Sequence, residues 1–151
     1  MFNTALRLVN KTADAEDILQ ESFIDAFAQL SSFQNRSSFG AWIKQIVIYK
    51  SIGFLKKQRF SFVEMENAED VVEEKAMSEE EVNYTVSTIR LAIRELPDGY
   101  RTVLSLYLLE GYDHEEIAEI LGVAKSTVRT QYIRAKQKLI TLLKIRATHE
   151  Q

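Results

Sequence analysis

Apolar residues recur at helical spacing through much of the chain. Between residues 14 and 30 they fall three or four positions apart, which predicts a helix with one core-facing stripe, capped by Asp14. The stripe comprises Ala15, Ile18, Leu19, Phe23, Ala26, Phe27 and Leu30. The opposite side of this helix is polar except for one residue. Its members are Asp17, Gln20, Glu21 and the apolar Ile24.

A polar stretch, residues 31–38, separates this helix from a second one, which Ser38 is placed to cap. The apolar side of the second helix comprises Phe39, Trp42, Ile43, Ile46 and Val47. It is expected to end in residues 55–59, where lysines and an arginine suit the C-terminal end of a helix dipole.

The rest of the chain is also predicted to be helical. One helix is expected from about residue 80 to 95, stopped by Pro97, and another from 100 to 110, ending at Gly111. The apolar positions of the first of these are Val82, Val86, Ile89, Ile93 and Leu96. No segment alternates at a period of two long enough to predict a strand. The predicted fold class is all-α, in two small helical domains.

The strongest local pattern lies near the C-terminus. Asp113 and Glu116 have the spacing of a capping box that opens a short helix, 114–121, and Gly122 can end it in a left-handed conformation. Ser126 is placed to cap a longer helix. A short helix, a tight turn and a longer helix predict a helix-turn-helix.

The longer helix, expected to end near residue 144, predicts a DNA-binding surface. Its buried seam is expected at Val128, Tyr132, Ala135, Leu139 and Leu142. The outward side then carries Ser126, Arg129, Thr130, Ile133, Arg134 and Gln137. From residue 122 to 146 the chain has seven basic residues, Lys136 among them, and no acidic one. This charge pattern is typical of contact with nucleic-acid phosphates.

Charge is unevenly distributed along the 151 residues, although the formal net charge is only −3. Residues 1–60 carry a net +3 and residues 88–151 a net +2, whereas residues 61–87 hold nine acidic residues and one basic residue. This acidic segment has too little apolar content to build a core, so it is interpreted as a linker, either a solvated helix or a disordered tether. The predicted domains are therefore 1–60 and 88–146.

Composition excludes several functional classes. The absence of cysteine excludes a disulfide scaffold, a cysteine zinc site and a cysteine nucleophile. The sequence has no Gly-rich phosphate loop, and its two histidines, His114 and His149, lie at a helix start and in the tail. We therefore expect no catalysis, metal or cofactor. No apolar run approaches the roughly 20 residues that span a bilayer, so a cytoplasmic protein without membrane insertion is expected.

Three runs of residues together resemble a known family over nearly the whole chain. They are DAEDILQESFIDAF (14–27), FQNRSSFGAWIKQI (33–46) and ELPDGYRTVLSLYLLEGYDHEEIAEILGVAKSTVRTQYIRAKQKL (95–139). In order and spacing they resemble a bacterial RNA polymerase sigma factor of the extracytoplasmic-function (ECF) class in the sigma-70 family. The resemblance implies a region 2 domain, which binds the polymerase and the minus-ten element, and a region 4 domain, which reads the minus-thirty-five element. It also implies about a dozen further residues ahead of Met1.

The resemblance assigns partners to this chain. In the family, the first helix described above docks on the clamp helices of the largest subunit of core RNA polymerase. The matching residues here are Asp17, Gln20, Glu21 and Ile24, for which a merely solvated surface is the alternative. Promoter DNA and an anti-sigma factor are the other implied partners.

DNA contacts are implied in both domains. The loop 33–38 resembles one that receives an extruded base of the non-template strand, with Trp42 mainly packing beneath it. Its candidate residues are Phe33, Asn35, Arg36 and Ser37. Tyr49 either stacks on a base or packs against Phe54. In the second domain the family's contacting positions match Lys125, Ser126, Thr127, Arg129, Thr130, Ile133 and Arg134, and Lys136 extends the basic surface.

Two other functional classes compete with this interpretation. A stand-alone helix-turn-helix regulator would bind its operator tightly without polymerase, which a band-shift assay measures. Such a regulator needs a dimerisation surface and a sensory module, and residues 1–60 show neither a coiled-coil heptad nor a nucleotide-binding βα pattern. A helical adaptor would show no salt-sensitive DNA binding.

Overall fold

The computed structural model describes residues 1–58 and 85–149, and within these ranges the backbone is mostly helical and contains no strand. The all-α prediction is therefore confirmed. The chain divides into two compact units, residues 1–61 and 62–151, and each is described by itself. Most of the predicted linker, 61–87, lies outside the described residues. In the described ranges, no helix is long and apolar enough to cross a membrane.

Three helices form the first unit: α1 (Phe2–Val9), α2 (Thr12–Ala28) and α3 (Phe39–Lys57). Each helix packs against the other two. Their shared core consists of Ala5, Leu8, Val9, Ala15, Ile18, Ala26, Ile43, Val47, Ile48, Ile52 and Leu55. Burial of these branched and small side chains supplies the main driving force for the bundle.

Local signals set most of the helix ends in this unit. Asn10 ends α1 in the left-handed conformation (φ 60°) that asparagine tolerates. Ser38 caps α3, as predicted, by accepting a hydrogen bond from the Ala41 N–H at 3.1 Å. Asp14 is not the cap of α2, because that helix begins at Thr12 and Asp14 lies in its first turn. A carboxylate there still suits the helix dipole.

The predicted core of α2 is partly wrong. Phe23, Phe27 and Leu30 are 36%, 69% and 48% exposed. Ser22 is instead fully buried, and its hydroxyl donates to the Ile18 carbonyl at 2.6 Å. The buried stripe is narrower than the apolar stripe because α1 and α3 cover only one side of the helix. It consists of Ala15, Ile18, Ser22 and Ala26.

The second unit contains four helices in its described part: α4 (Val86–Arg94), α5 (Asp98–Leu104), α6 (His114–Leu121) and α7 (Lys125–His149). A π-helical turn, Ser105–Leu109, continues α5. The core joins α4, α5 and α7 through Ala92, Ile93, Leu96, Leu104, Ala135, Leu139 and Leu143. Helix α6 packs on α7, so the long helix is supported along much of its length.

Polar contacts fix the start of α4 and of α5. The Thr85 hydroxyl caps α4 by accepting from the Thr88 N–H at 3.3 Å, so this helix begins later than the predicted residue 80; residues 80–84 lie outside the described part of the chain. Arg101 is almost fully buried, donates to the Leu96 carbonyl at 3.2 Å and pairs with Asp98. The bond to Leu96 ties α5 to the segment that follows α4, and the pair with Asp98 lies within α5.

Candidate functional site

The helix-turn-helix prediction is confirmed in detail at its first helix. The Glu116 N–H donates to Asp113 Oδ1 at 2.8 Å, and the Asp113 N–H donates to Glu116 Oε1 at 3.2 Å, which completes the capping box. The backbone hydrogen bond from Glu116 is the main cause that lowers the pKa of the Asp113 carboxyl. Gly122 ends α6 with φ +71°, a conformation that favours glycine.

The turn leads directly into α7. Ala118 and Val128 are both buried, as the close packing of the two helices requires. Helix α7 begins at Lys125, so Ser126 lies within its first turn and is not the predicted cap. The reason is that the N–H groups of Thr127 and Val128 donate to the Ala124 carbonyl at 3.1 and 3.2 Å, which starts the helical bonding two residues earlier than a cap at Ser126 would.

One side of α7 faces the protein and the other faces solvent. The buried residues are Val128, Gln131, Ala135, Leu139 and Leu143. Leu143 is buried in addition to the expected residues, whereas Tyr132 and Leu142 of the expected seam are half-buried and pack against the same core. Gln131 is only 4% exposed, so it is not part of the outward surface. All eight residues of α7 that are predicted to contact DNA reach solvent. Lys125, Ser126, Arg129 and Lys136 are exposed, and Thr127, Thr130, Ile133 and Arg134 are half-buried.

An aromatic cluster joins the two helices of the motif. The His114 ring lies 5.0 Å from the Tyr107 ring and 5.1 Å from the Tyr132 ring, and the two tyrosines are 4.6 Å apart. His114 Nε2 is buried and has no hydrogen-bond partner within the described part of the chain. Burial, and then the positive charges of Lys125 and Arg129, lower the His114 pKa, although Asp113 opposes the shift.

This environment of His114 predicts that the second unit is less stable at acidic pH. Because the pKa of His114 is lower in the folded unit than the ordinary 6.5, the unfolded chain binds this proton first as the pH falls. The free energy of unfolding should therefore decrease as the pH drops below about 6.5. We expect the urea midpoint measured by circular dichroism to fall between pH 7.5 and 5.5, and His114→Gln to reduce that fall.

His149→Gln is the matched control, since it removes the other histidine of the chain and should leave the pH dependence as it is in the wild type. An equal pH dependence in the His114→Gln protein and the wild type would show that the acid sensitivity comes from other groups.

In the first unit, the loop before α3 is built around three aromatic rings. The Phe33 and Trp42 rings are 5.0 Å apart, and Phe39 lies 5.8 Å from each. Trp42 is half-buried, as expected of a residue that packs beneath the loop. Asn35 has a positive φ of 54°, which turns the chain at the loop tip. The loop candidates Asn35, Arg36 and Ser37 are exposed, and Phe33 is half-buried.

Tyr49 lies on α3 and is 44% exposed. It lines a groove of about 450 Å³ between α2 and α3, together with Trp42 and Gln45. Phe54 lines a different groove, and the preceding Ile48 is fully buried. Much of the Tyr49 side chain is therefore accessible to solvent, whereas that of Ile48 is not.

The polar stripe of α2 faces solvent along its whole length. Asp17, Gln20 and Glu21 are exposed, and Ile24 is 67% exposed. Ile24 has the exposed Phe27 one turn further along the helix and the exposed polar residues Gln20 and Glu21 one turn before it, and an apolar centre with a polar rim suits a protein interface. The groove lined by Phe54 also contains Asp14, Asp17 and Glu21.

Sequence reasoning missed Lys50. Its ammonium group lies 2.6 Å from Asp25 Oδ2 and 3.9 Å from Glu21 Oε2. These pairs cross from α3 to α2, and the residues are far apart in sequence, so no local pattern predicts them.

Comparison with known proteins identifies both units. Residues 1–61 match the family model of sigma-70 region 2, and residues 87–139 match that of sigma-70, region 4. The RNA polymerase sigma factor SigV of Bacillus subtilis (strain 168) is 31% identical over 149 residues, which cover 99% of this chain and 85% of SigV. The ECF RNA polymerase sigma factor SigW of the same organism is 28% identical, over 92% of this chain and 80% of SigW.

A solved structure is similar over most of its length. It is the sigma factor RpoE in complex with the anti-sigma factor NepR from Bartonella quintana, with a TM-score of 0.62 and 25% identity, covering 95% of this chain and 89% of that chain. The chain belongs to the sigma-70 family of RNA polymerase sigma factors, in the ECF class. The matches to both regions favour a sigma factor over a stand-alone helix-turn-helix regulator.

Proposed function

We propose that the two units of this sigma factor divide the work of promoter recognition. The chain acts as a sigma factor, which binds core RNA polymerase and directs promoter-specific transcription initiation. In our proposal, α2 binds the clamp helices of the polymerase's largest subunit, and the loop before α3 together with Tyr49 binds the minus-ten element. Helix α7 reads the minus-thirty-five element. The observation that carries this proposal is the joint match of both units to regions 2 and 4.

The N-terminal half of α7 is suited to the major groove. That groove is about 12 Å wide and admits an α-helix. Arg129 and Arg134 lie on the outward side of the helix and can pair with guanine edges or phosphates. Lys125 and Lys136 add positive charge that attracts phosphates without reading sequence. Because α4, α5 and α6 support the opposite side, the helix enters DNA as a rigid element.

The minus-ten loop cannot open a promoter by itself. Duplex stacking is worth about 1.4 kcal/mol per step, so opening on the order of ten base pairs costs roughly 14 kcal/mol. One base stacked on an aromatic side chain returns only about 1–3 kcal/mol. The loop and Tyr49 therefore trap a melted strand, while the polymerase supplies most of the free energy of melting. Function accordingly requires the polymerase as partner.

The proposed polymerase-binding surface on α2 leads to a prediction for polymerase binding that leaves DNA binding by the second unit unaffected. Replacing Asp17 and Gln20 together by alanine should weaken binding to core polymerase roughly tenfold, because residues at the polar rim of an interface each contribute modestly. Affinity would be measured by titrating core polymerase with fluorescently labelled protein.

Binding of the same variant to duplex minus-thirty-five DNA should remain unchanged, because those contacts belong to the second unit. Glu119→Ala, an exposed carboxylate on α6, is the charge-matched control in the polymerase titration. Equal losses in the polymerase and DNA assays would refute the division of labour.

The partners and location follow from the same proposal. The similar RpoE structure contains the anti-sigma factor NepR, and we propose that an anti-sigma factor also regulates this chain. The protein works in the cytoplasm, where the polymerase is, and has no catalytic activity of its own.

Run-off transcription tests the proposed function directly. Purified chain and core polymerase would be mixed with a pool of genomic promoter fragments, and the transcripts sequenced. We expect a defined set of start sites that core polymerase alone does not use. Transcripts that are the same with and without the chain would reject the proposal. A tight band shift on these promoters without polymerase would favour the stand-alone regulator.

A further inference from the structure

Lys50 connects the two functional surfaces of the first unit. Its ammonium group lies 2.6 Å from Asp25 Oδ2 and 3.9 Å from Glu21 Oε2, two carboxylates one turn apart on α2. The Lys50 side chain is 27% exposed, so it is partly shielded but still reaches solvent. Two negative charges at these distances neutralise much of its positive potential.

Lys50 lies between two grooves. On one side is the groove of about 450 Å³ that contains Trp42, Gln45 and Tyr49, and Asp25 lines it too. On the other side is a groove of about 370 Å³ that contains Asp17 and Glu21. Lys50 lines both grooves. The first groove holds the aromatic side chain proposed to bind DNA, and the second holds two residues proposed to bind polymerase.

From this juxtaposition we propose that Lys50 is a phosphate-binding residue for the non-template strand, and that polymerase binding at Glu21 makes its charge available. This inference rests on the proposed function. A cation of the polymerase that pairs with Glu21 takes that carboxylate away from Lys50. Lys50 then keeps Asp25 as its partner on α2, and its less neutralised charge attracts a phosphate beside the groove of Tyr49.

The coupling works equally in both directions. A phosphate bound by Lys50 leaves Glu21 more available to the polymerase, so DNA strengthens polymerase binding by the same factor. Exposed ion pairs have small interaction energies, and we accordingly expect effects of about two- to fivefold. A bias of this size favours strand capture by the holoenzyme over capture by the free sigma factor.

The test compares strand binding with and without polymerase. The probe is a fluorescent single-stranded oligonucleotide carrying the non-template minus-ten region of a promoter found by run-off transcription, and affinity is measured by anisotropy. Lys50→Met should weaken binding by the holoenzyme about three- to fivefold and by the free full-length chain less than twofold. Lys56→Met, an exposed lysine near the end of the same helix, should change neither.

Salt dependence separates a phosphate contact from a purely structural role. In the holoenzyme, Lys50→Met should reduce the slope of log affinity against log salt by about 0.7, the value for one phosphate contact on a single strand. In the free chain the slope should stay constant. Asp25→Asn and Glu21→Gln should each raise the affinity of the free chain for the probe about twofold or more, because each removes a competing carboxylate.

Two outcomes would overturn the inference about Lys50 and leave the proposed function standing. One is a Lys50→Met holoenzyme that binds the probe as tightly as the wild type does. The other is an equal loss in the free chain and the holoenzyme, which would mean that Lys50 acts without coupling. A wild-type chain that forms no holoenzyme would instead overturn the proposed function, and it would be detected before any variant is made.

Discussion

Ile117→Ala is expected to lower the free energy of unfolding of the second unit by about 2–5 kcal/mol. Ile117 is fully buried on α6, and truncating it removes buried apolar surface and leaves a cavity between α6 and its neighbours. Small domains have only about 5–15 kcal/mol of stability, so the loss removes a large share. Binding to minus-thirty-five DNA should fall in parallel, because α6 supports α7.

The single tryptophan of the chain allows the loss of stability to be assigned to one of the two units. Trp42 lies in the first unit, so its fluorescence reports unfolding of that unit, whereas circular dichroism reports both. Ile117→Ala should shift the urea transition seen by circular dichroism and leave the Trp42 transition in place. Glu119→Ala, exposed on the same helix, should change stability by less than about 0.5 kcal/mol. A shift of the Trp42 transition would show that the two units unfold together.

Arg134→Ala should weaken binding of the second unit to its DNA element by about 1–3 kcal/mol, or roughly 5- to 150-fold, if the guanidinium contacts a base. The variant should then lose its sequence preference at one position of the element. Substituting the base pair at that position would no longer change the affinity of the variant. A contact to phosphate would weaken binding to all sequences alike and reduce the salt slope by about 1. Band shifts on a set of single-base variants at two salt concentrations distinguish these results.

Lys144→Ala serves as the matched control for Arg134. It removes the same charge from the same helix, about 15 Å farther along the axis at 1.5 Å per residue. We expect a much smaller loss of affinity for this variant. Equal losses for Arg134→Ala and Lys144→Ala would show that α7 contributes only a diffuse positive potential, and the proposed base contact would be wrong.

Features that depend on neighbours in sequence were predictable. The capping box of Asp113 and Glu116, the left-handed Gly122 and the Ser38 cap all arise from hydrogen bonds or backbone conformations within one turn of helix. The charge pattern of α7 needs only the residue order and the helical period. For this reason the helix-turn-helix and its candidate contacts could be located before any packing was known.

Features that depend on the width of a packing surface were not predictable. Phe23, Phe27 and Leu30 have the spacing of core residues, yet in the described part of the first unit α1 and α3 cover one side of α2 and these side chains stay partly exposed. Conversely, Gln131 of α7 and Ser22 of α2 are polar but buried. Periodicity gives the direction of a side chain around its helix and not the number of neighbours that meet it.

The residue order alone therefore determined the helical class, the helix-turn-helix, the basic surface of α7 and the polar stripe of α2, because each follows from local hydrogen bonding or from the helical repeat. Only the tertiary structure decided which apolar residues are buried. It also brought Lys50 to Asp25 and Glu21 and placed His114 against both Tyr107 and Tyr132. These contacts join separate helices, and their distances depend on how the helices pack, which no local pattern records.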